Sequence, residues 1–177
     1  MIVPEYILRD IVNQMPQISY QGQNSIDLVR TIQFGWGDKK ELNKYLLLRR
    51  NDSYPLVWLL SPSVEAHVDN SSKVERDCSI VVATLETRKD LYNPQRYEGT
   101  FNNILNPVTS YVIQGLRSFS KTRILNDNDV NITKFPNYSE DSNSNQGGSI
   151  ELWDATRIDC RIEFNNSCSN NIKWITN

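Results

Sequence analysis

The side chains best suited to chemistry are two carboxylates and a lysine around one apolar segment. Asp77 and Glu86 bracket a β-prone run and Lys89 follows it, a set of the kind that holds a divalent metal and its activated water. The spacing argues against a shared ion. The two carboxylates are 86 − 77 = 9 residues apart, which is about 30 Å along a strand at roughly 3.3 Å per residue. We interpret them as solvated charges at the ends of a strand.

No other pattern of reactive residues is typical of an enzyme. The one histidine, His67, lies in a polar stretch, and no Gly-x-Ser-x-Gly turn presents a serine to it. The glycines around Trp36, Gly35 and Gly37, lack the third glycine and the helix entry of a phosphate-binding motif. We therefore predict no catalytic residue, no metal site and no cofactor.

The three cysteines predict structure rather than chemistry. Cys78, Cys160 and Cys168 include no Cys-x-x-Cys pair, so a zinc site is not expected. Cys78 and Cys160 lie in apolar or alternating segments, where a thiol usually behaves as a small buried hydrophobe.

Length and charge narrow the class of protein. A chain of 177 residues is the size of one domain with a real core, and we expect residues 1–177 to form one. The net charge of −2 supplies no cationic field for nucleic acid or an anionic membrane. No apolar run approaches the roughly 20 residues that cross a bilayer, and Glu5 and Asp10 do not suit a signal peptide. We expect a soluble, unexported protein.

The N-terminal part is predicted to contain two helices. Apolar residues at helical spacing predict an amphipathic helix over residues 4–15, and weak alternation from Gln17 predicts a short strand. Residues 33–38 read QFGWGD and predict a glycine-punctuated turn. Asp38 then caps a helix over residues 39–50.

The middle of the chain predicts a sheet. Residues 54–60 read YPLVWLL, a buried strand, and residues 74–86 are the longest β-prone segment. The polar residues 61–73 between them leave no room for a crossover helix, so antiparallel pairing is expected. We predict an α/β protein of the α+β type, with a mainly antiparallel or mixed sheet flanked by two or three helices.

A long helix is predicted after this sheet. Residues 87–96 are charged and contain an Asn-Pro pair, which indicates a loop, and residues 97–119 carry apolar positions in helical register. Pro107 removes a backbone donor within this pattern, so we predict a kink or a break near Asn106.

The last part combines a polar segment with the clearest strand. The composition of residues 126–149 predicts a protruding loop or hairpin arm, with a possible strand at 132–135. Strand character resumes at residues 150–153 and 156–164, and residues 172–175 are an edge candidate. The 156–164 pattern alternates between Ile158, Cys160, Ile162 and Phe164 on one face and Arg157, Asp159, Arg161 and Glu163 on the other. One face therefore packs on a core, and the charged face meets water or a polar partner.

Four segments in a fixed order carry a family resemblance: QFGWGDKKELNKYLLL, YPLVWLLSP, CSIVVATLETRKDLYNPQRYEGTFNNILNPVTSYVIQGL and ELWDATRIDCRIEF. Over about residues 34–164 the chain resembles small neck and tail proteins of phages that infect Bacteroidetes. These are similar in plan to tail-terminator (tail-completion) or head-to-tail connector proteins. The shared features are strands and helices rather than reactive residues.

The resemblance implies a structural virion protein, not an enzyme, that assembles in the bacterial host cytoplasm into a homo-oligomeric ring at the neck or tail. Expected partners are further copies of the chain, portal, head-closure or other neck and tail proteins, and genomic DNA that passes through the lumen without specific binding. No membrane partner is expected. The candidate interface residues are Tyr92, Arg96, Glu140, Asp141 and Trp174. Of these, Glu140 and Asp141 are expected near the lumen, where carboxylates repel passing DNA.

Two other functions stay open. A small metal-dependent nuclease predicts DNA cleavage that is lost on changing Asp77 or Glu86 to alanine. A host-factor-binding or regulatory module predicts a monomer that is absent from purified particles.

Overall fold

The periodic segments form helices and strands close to the predicted bounds. The structure, a computed structural model, describes residues 2–21, 27–47, 54–61, 63, 65–68, 72–86, 93–126, 130–136, 152–166, 172 and 174. The helical elements are α1 (Pro4–Asn13), α2 (Lys39–Leu47), α3 (Asn93–Arg96), a π-helical segment (Tyr97–Leu105) and α4 (Asn106–Ser118). The strands are β1 (Ile18–Gln21), β2 (Asp27–Arg30), β3 (Gln33–Gly37), β4 (Leu56–Leu60), β5 (Glu65–Val68), β6 (Lys73–Glu86), β7 (Thr122–Ile124), β8 (Asn131–Phe135) and β9 (Leu152–Asn165).

The strands build the mixed sheet of an α+β domain. β6 and β9 pair antiparallel over all 14 residues of each strand and form its centre. β4 and β5 lie along the free side of β6, and β7 and β8 lie along the free side of β9, all of them antiparallel. β3 adds to β4 in parallel, and β1 and β2 form a separate two-stranded sheet. The predicted fold class is confirmed.

The turn predicted for residues 33–38 is wrong, because Gln33–Gly37 is strand β3. The glycines serve packing between strands. A Cβ on Gly35 would overlap the ring of Trp58 on β4, and Trp58 Nε1 donates a hydrogen bond to the Gly37 carbonyl at 3.2 Å. The missing side chain at Gly35 lets the indole cover the neighbouring backbone.

Each face of the sheet packs on different helices, because successive side chains of a strand alternate between faces. α1, the π-helical segment and α4 cover one face, which we call the helical face, and its core includes Ile80, Ile158 and Phe164. α2 packs on one end of the opposite face, where its Leu42 and Leu46 belong to a core cluster that also contains Trp58 and Trp153. The apolar side of the alternation predicted for residues 156–164 is confirmed as buried.

α2 begins where the sequence predicts. Asp38 Oδ1 accepts a hydrogen bond from the Glu41 N–H, and Glu41 Oε2 accepts one from the Asp38 N–H, both at 2.8 Å. This reciprocal pair is a capping box. Gly37 precedes it with φ of 148°, a backbone conformation that favours glycine. Residues 48–50 of the predicted helix lie outside the described residues.

Near Asn106, where a kink or a break was predicted, the chain changes helix type but does not leave the helical conformation: Leu105 and Asn106 have φ/ψ of −70°/−42° and −64°/−46°. The chain is π-helical up to Leu105, and the Asn106 N–H donates to the Phe101 carbonyl, five residues back. α4 then begins with Pro107 in its first turn. Pro107 has no N–H to donate, and it lies at the point where the hydrogen bonding changes from the π to the α pattern.

Several polar segments contain more regular structure than predicted. The stretch 61–73 includes β5, and the predicted loop 87–96 ends in α3, with residues 87–92 outside the described part. The strand predicted within 126–149 is confirmed as β8, whereas residues 137–149 are not described. The two late strand pieces are one continuous strand, β9.

A buried ion-pair cluster holds α1 against the helical face. Arg76 of β6 is 3% exposed, and its Nη1 lies 2.5 Å from Glu5 of α1 and 3.3 Å from Glu65 of β5. Two carboxylates offset the desolvation of one buried guanidinium. The cluster therefore ties α1 to the sheet.

Candidate self-association surface

Two of the five predicted interface residues lie in the described part of the chain. Arg96 is 1% exposed, and its Nη1 donates to Asp154 Oδ1 at 2.8 Å. Trp174 is half-buried, and its ring meets the ring of Tyr111 on α4 edge-on at 5.8 Å between centroids. Arg96 thus connects α3 to β9 in the interior, and Trp174 packs on α4. The residues outside the described part are Tyr92, Glu140 and Asp141.

The two residues that suggested metal chemistry, Asp77 and Glu86, occupy distant positions along β6. Asp77 pairs in register with Arg161, and Glu86 pairs with Leu152, nine positions further along the same ladder. His67 is exposed on β5, 4.0 Å from the carboxylate of Glu65. In the part of the chain that the structure describes, no three His, Cys, Asp or Glu side chains are grouped to hold a metal ion.

The charged side of β9 forms ion pairs within the sheet. The pairs are Arg161 with Glu75 at 2.9 Å, Arg157 with Asp159 at 2.9 Å and Lys73 with Glu163 at 3.2 Å. Ser79 Oγ also donates to Asp159 Oδ1 at 2.5 Å. Because cations and anions alternate and neutralise one another, this surface presents no strong field of either sign.

Cys78 and Cys160 face each other across the central strand pair as free, buried thiols, so the prediction that they are buried is confirmed. Burial raises the pKa of Cys160 to about 12. Burial raises the pKa of Cys78 further, and the neighbouring Cys160 adds to this rise. Thiols that stay protonated are poor nucleophiles, which fits a packing role.

These thiols make stability fall in alkaline solution. An unfolded thiol ionises near the ordinary value of 9.0, whereas folded Cys160 keeps its proton to about pH 12. Stability from the protonated thiol is therefore complete below about pH 9 and is lost as the pH rises toward 12. We expect the free-energy difference between the wild-type chain and Cys160→Ala to shrink by up to about 1.4 kcal/mol per pH unit in this window. Urea unfolding at several pH values measures it, and a constant difference would contradict the burial argument.

In the part of the chain that the structure describes, the sheet has an open edge on each side. Among the described residues, β3 has only β4 as a strand partner, and β8 has only β9. Each edge strand is five residues long. An open edge presents unpaired backbone N–H and C=O groups and is a template for pairing with another chain.

Exposed apolar side chains gather at these two edges, on the helical face. Tyr6 of α1 and Trp36 of β3 are 49% and 45% exposed, and their ring centroids are 6.3 Å apart. At the other edge Ile132 is 47% exposed, and Lys134 Nζ lies 5.5 Å from the centre of the exposed Tyr97 ring. We call these the β3 patch (Tyr6, Trp36) and the β8 patch (Tyr97, Ile132, Lys134).

The β3 edge has little protection against pairing. Natural sheets blunt their edges with charges, prolines or bulges, but β3 reads QFGWG and contains no charge and no proline. β8 contains one charge, Lys134, and Pro136 follows it. Sequence reasoning missed the β3 patch because it assigned residues 33–38 to a turn, and it placed no interface on the strand predicted at residues 132–135. The signal that was available is an uncharged aromatic segment of strand length.

Comparison with models of known protein families and with curated proteins found no match. Within the described residues, no helix has the length and apolar character needed to span a membrane.

Proposed function

We propose that this chain is a structural subunit that assembles head-to-tail into a closed ring at the neck or tail of a tailed bacteriophage. The observation that carries the proposal is a pair of exposed apolar patches at the two edges of one sheet, edges along which no further strand pairs among the described residues. Two different patches on opposite sides make a heterologous contact, which generates a ring when the rotation closes. The position in the virion is supported by the sequence resemblance over about residues 34–164.

The electrostatics fit a ring through which DNA passes. Each chain contributes a net charge of −2, and its described ion pairs neutralise most of the charged side of β9. A ring of such subunits repels phosphate weakly rather than holding it. In this proposal the ring joins or terminates head and tail components, and its partners are the portal, head-closure or other neck and tail proteins.

The test is to measure assembly and location separately. Native mass spectrometry and negative-stain electron microscopy of the purified chain, from micromolar to millimolar concentration, are expected to show rings of one stoichiometry. Mass spectrometry of purified virions is expected to detect the chain in the particle. A chain that stays monomeric throughout and is absent from particles would refute the proposal.

The same preparation separates this proposal from the two alternatives. Incubation with DNA and Mg²⁺ or Mn²⁺ is expected to leave the DNA intact. Cleavage that disappears in Asp77→Ala would instead support the nuclease. A defined complex of one chain with a host protein would support the binding module.

A further inference from the structure

We infer that the ring interface is a β3–β8 strand pair, which joins the sheets of neighbouring copies into one continuous sheet. The inference rests on the proposed ring function and names the surface that forms it. The partner that binds each edge is a second copy of this chain, because the two edges match each other in level, length, direction and side-chain chemistry.

The two edge strands lie at the same level of the sheet, which means that the register pairs of the strands between them connect a residue of β3 to a residue of β8. Following the register from strand to strand, Trp36 of β3 shares a level with Ile132 of β8. Two residues away, Phe34 shares a level with Lys134. The residues between Trp36 and Ile132 on the first level are Leu59, Ile80 and Ile158. Because both strands are five residues long, copies placed side by side pair these strands over their whole length.

The directions of the two strands also match. β3 runs parallel to β4, and each of the steps from β4 to β6, from β6 to β9 and from β9 to β8 is antiparallel. β3 and β8 therefore run in opposite directions within one chain. When a rotation places the β8 edge of one copy beside the β3 edge of the next, the new pair is antiparallel, which is the slightly more stable arrangement. Sheet twist tilts each copy against its neighbour, as strands tilt in a barrel.

The side chains that meet in this register are complementary. On the helical face Trp36 lies opposite Ile132 of the next copy, a pair of aromatic and β-branched residues that stabilises neighbouring strands. Phe34 lies opposite Lys134 of the next copy. The Nζ of this lysine already lies over aromatic rings within its own chain, and Phe34 offers it a further cation–π contact across the interface. A slip of one residue would turn every apolar side chain to the other face.

The opposite face leaves room for the same pairing. Gly35 lies opposite Thr133 of the next copy, so no bulky pair forms there. Gln33 lies opposite Phe135 of the next copy. The register that pairs Trp36 with Ile132 therefore brings no like charges together, and it satisfies the backbone groups of both edges.

Disulfide trapping tests the pair and its register. Trp36→Cys and Ile132→Cys are made separately in a Cys168→Ser background, mixed and oxidised, and covalent dimers are measured on non-reducing gels. As a control for the register, Trp36→Cys is also mixed with Lys134→Cys, which lies two residues further along β8. A disulfide needs Cα atoms about 4.4–6.8 Å apart, and two residues shift a strand by about 6.8 Å. We expect the mixture with Ile132→Cys to give at least about tenfold more mixed dimer, since the shifted pair lies outside this distance.

The outcomes separate this interface from the ring itself. Wild-type rings with no cross-link, or with equal yields from the two partners, would overturn the β3–β8 register while leaving the ring proposal intact. Cross-links in open chains without rings would support the strand pair and contradict ring closure. A wild-type chain that is monomeric and gives no cross-link would contradict both.

Discussion

Replacing Arg96 with alanine is expected to lower the free energy of unfolding by about 3–5 kcal/mol, because it removes the guanidinium that neutralises a buried Asp154. The two side chains are 1% and 0% exposed, so water cannot replace the lost partner. A domain of this kind is typically stable by about 5–15 kcal/mol, and the loss is a large share of it. Urea unfolding followed by tryptophan fluorescence measures the difference.

The matched control for Arg96 is a partly exposed arginine on β9. Arg157 lies 2.9 Å from Asp159, with both side chains about a third exposed, and Arg157→Ala is expected to cost less than about 1 kcal/mol. Changing Arg96 to Met and Asp154 to Leu together removes both charges and is expected to recover much of the stability. An Arg96→Ala variant as stable as Arg157→Ala would show that the buried pair contributes little.

Replacing Trp36 with lysine is expected to raise the concentration at which the chain half-assembles by about 30-fold or more. Trp36 is half-exposed in the single chain and becomes central in the proposed strand pair. Losing a central interface tryptophan typically costs about 2 kcal/mol or more per contact, and the lysine adds a charge that must lose water. Analytical ultracentrifugation over a concentration series gives the shift, and circular dichroism verifies that the fold is retained.

The matched control for Trp36 is Val29, an apolar side chain that is 57% exposed on β2, in the separate two-stranded sheet. Val29→Lys makes a similar change at an exposed apolar position that lies on neither edge of the main sheet. We expect its assembly to stay within about twofold of the wild-type chain, since surface substitutions away from special features usually change free energies by less than about 0.5 kcal/mol. Equal weakening by both variants would indicate a general effect of charge and contradict the edge interface.

Much of the fold could be predicted because local patterns dictate it. The apolar stripe of α1, the capping box of Asp38 and Glu41, and the change of helix type at Pro107 follow from residue chemistry within a few positions of each other. The alternation in β9 indicated which side chains are buried. The candidate interface was predicted less well. It was inferred from charged and aromatic residues near loops, and such residues do not indicate which strand lies at an edge of the sheet.

The sequence by itself determined the type of most segments and, in α1 and β9, the side chains that each would bury, since period and turn chemistry act over a few residues. Only the tertiary structure decided which segments are neighbours. It made a strand of Gln33–Gly37 by pairing it with β4, and it joined Arg96 to an aspartate 58 residues away. It also brought Trp36 and Ile132, which are 132 − 36 = 96 residues apart, to one level on opposite edges of a sheet. The physical reason is that strand order and register depend on hydrogen bonds between distant segments, and these form only when the chain has folded.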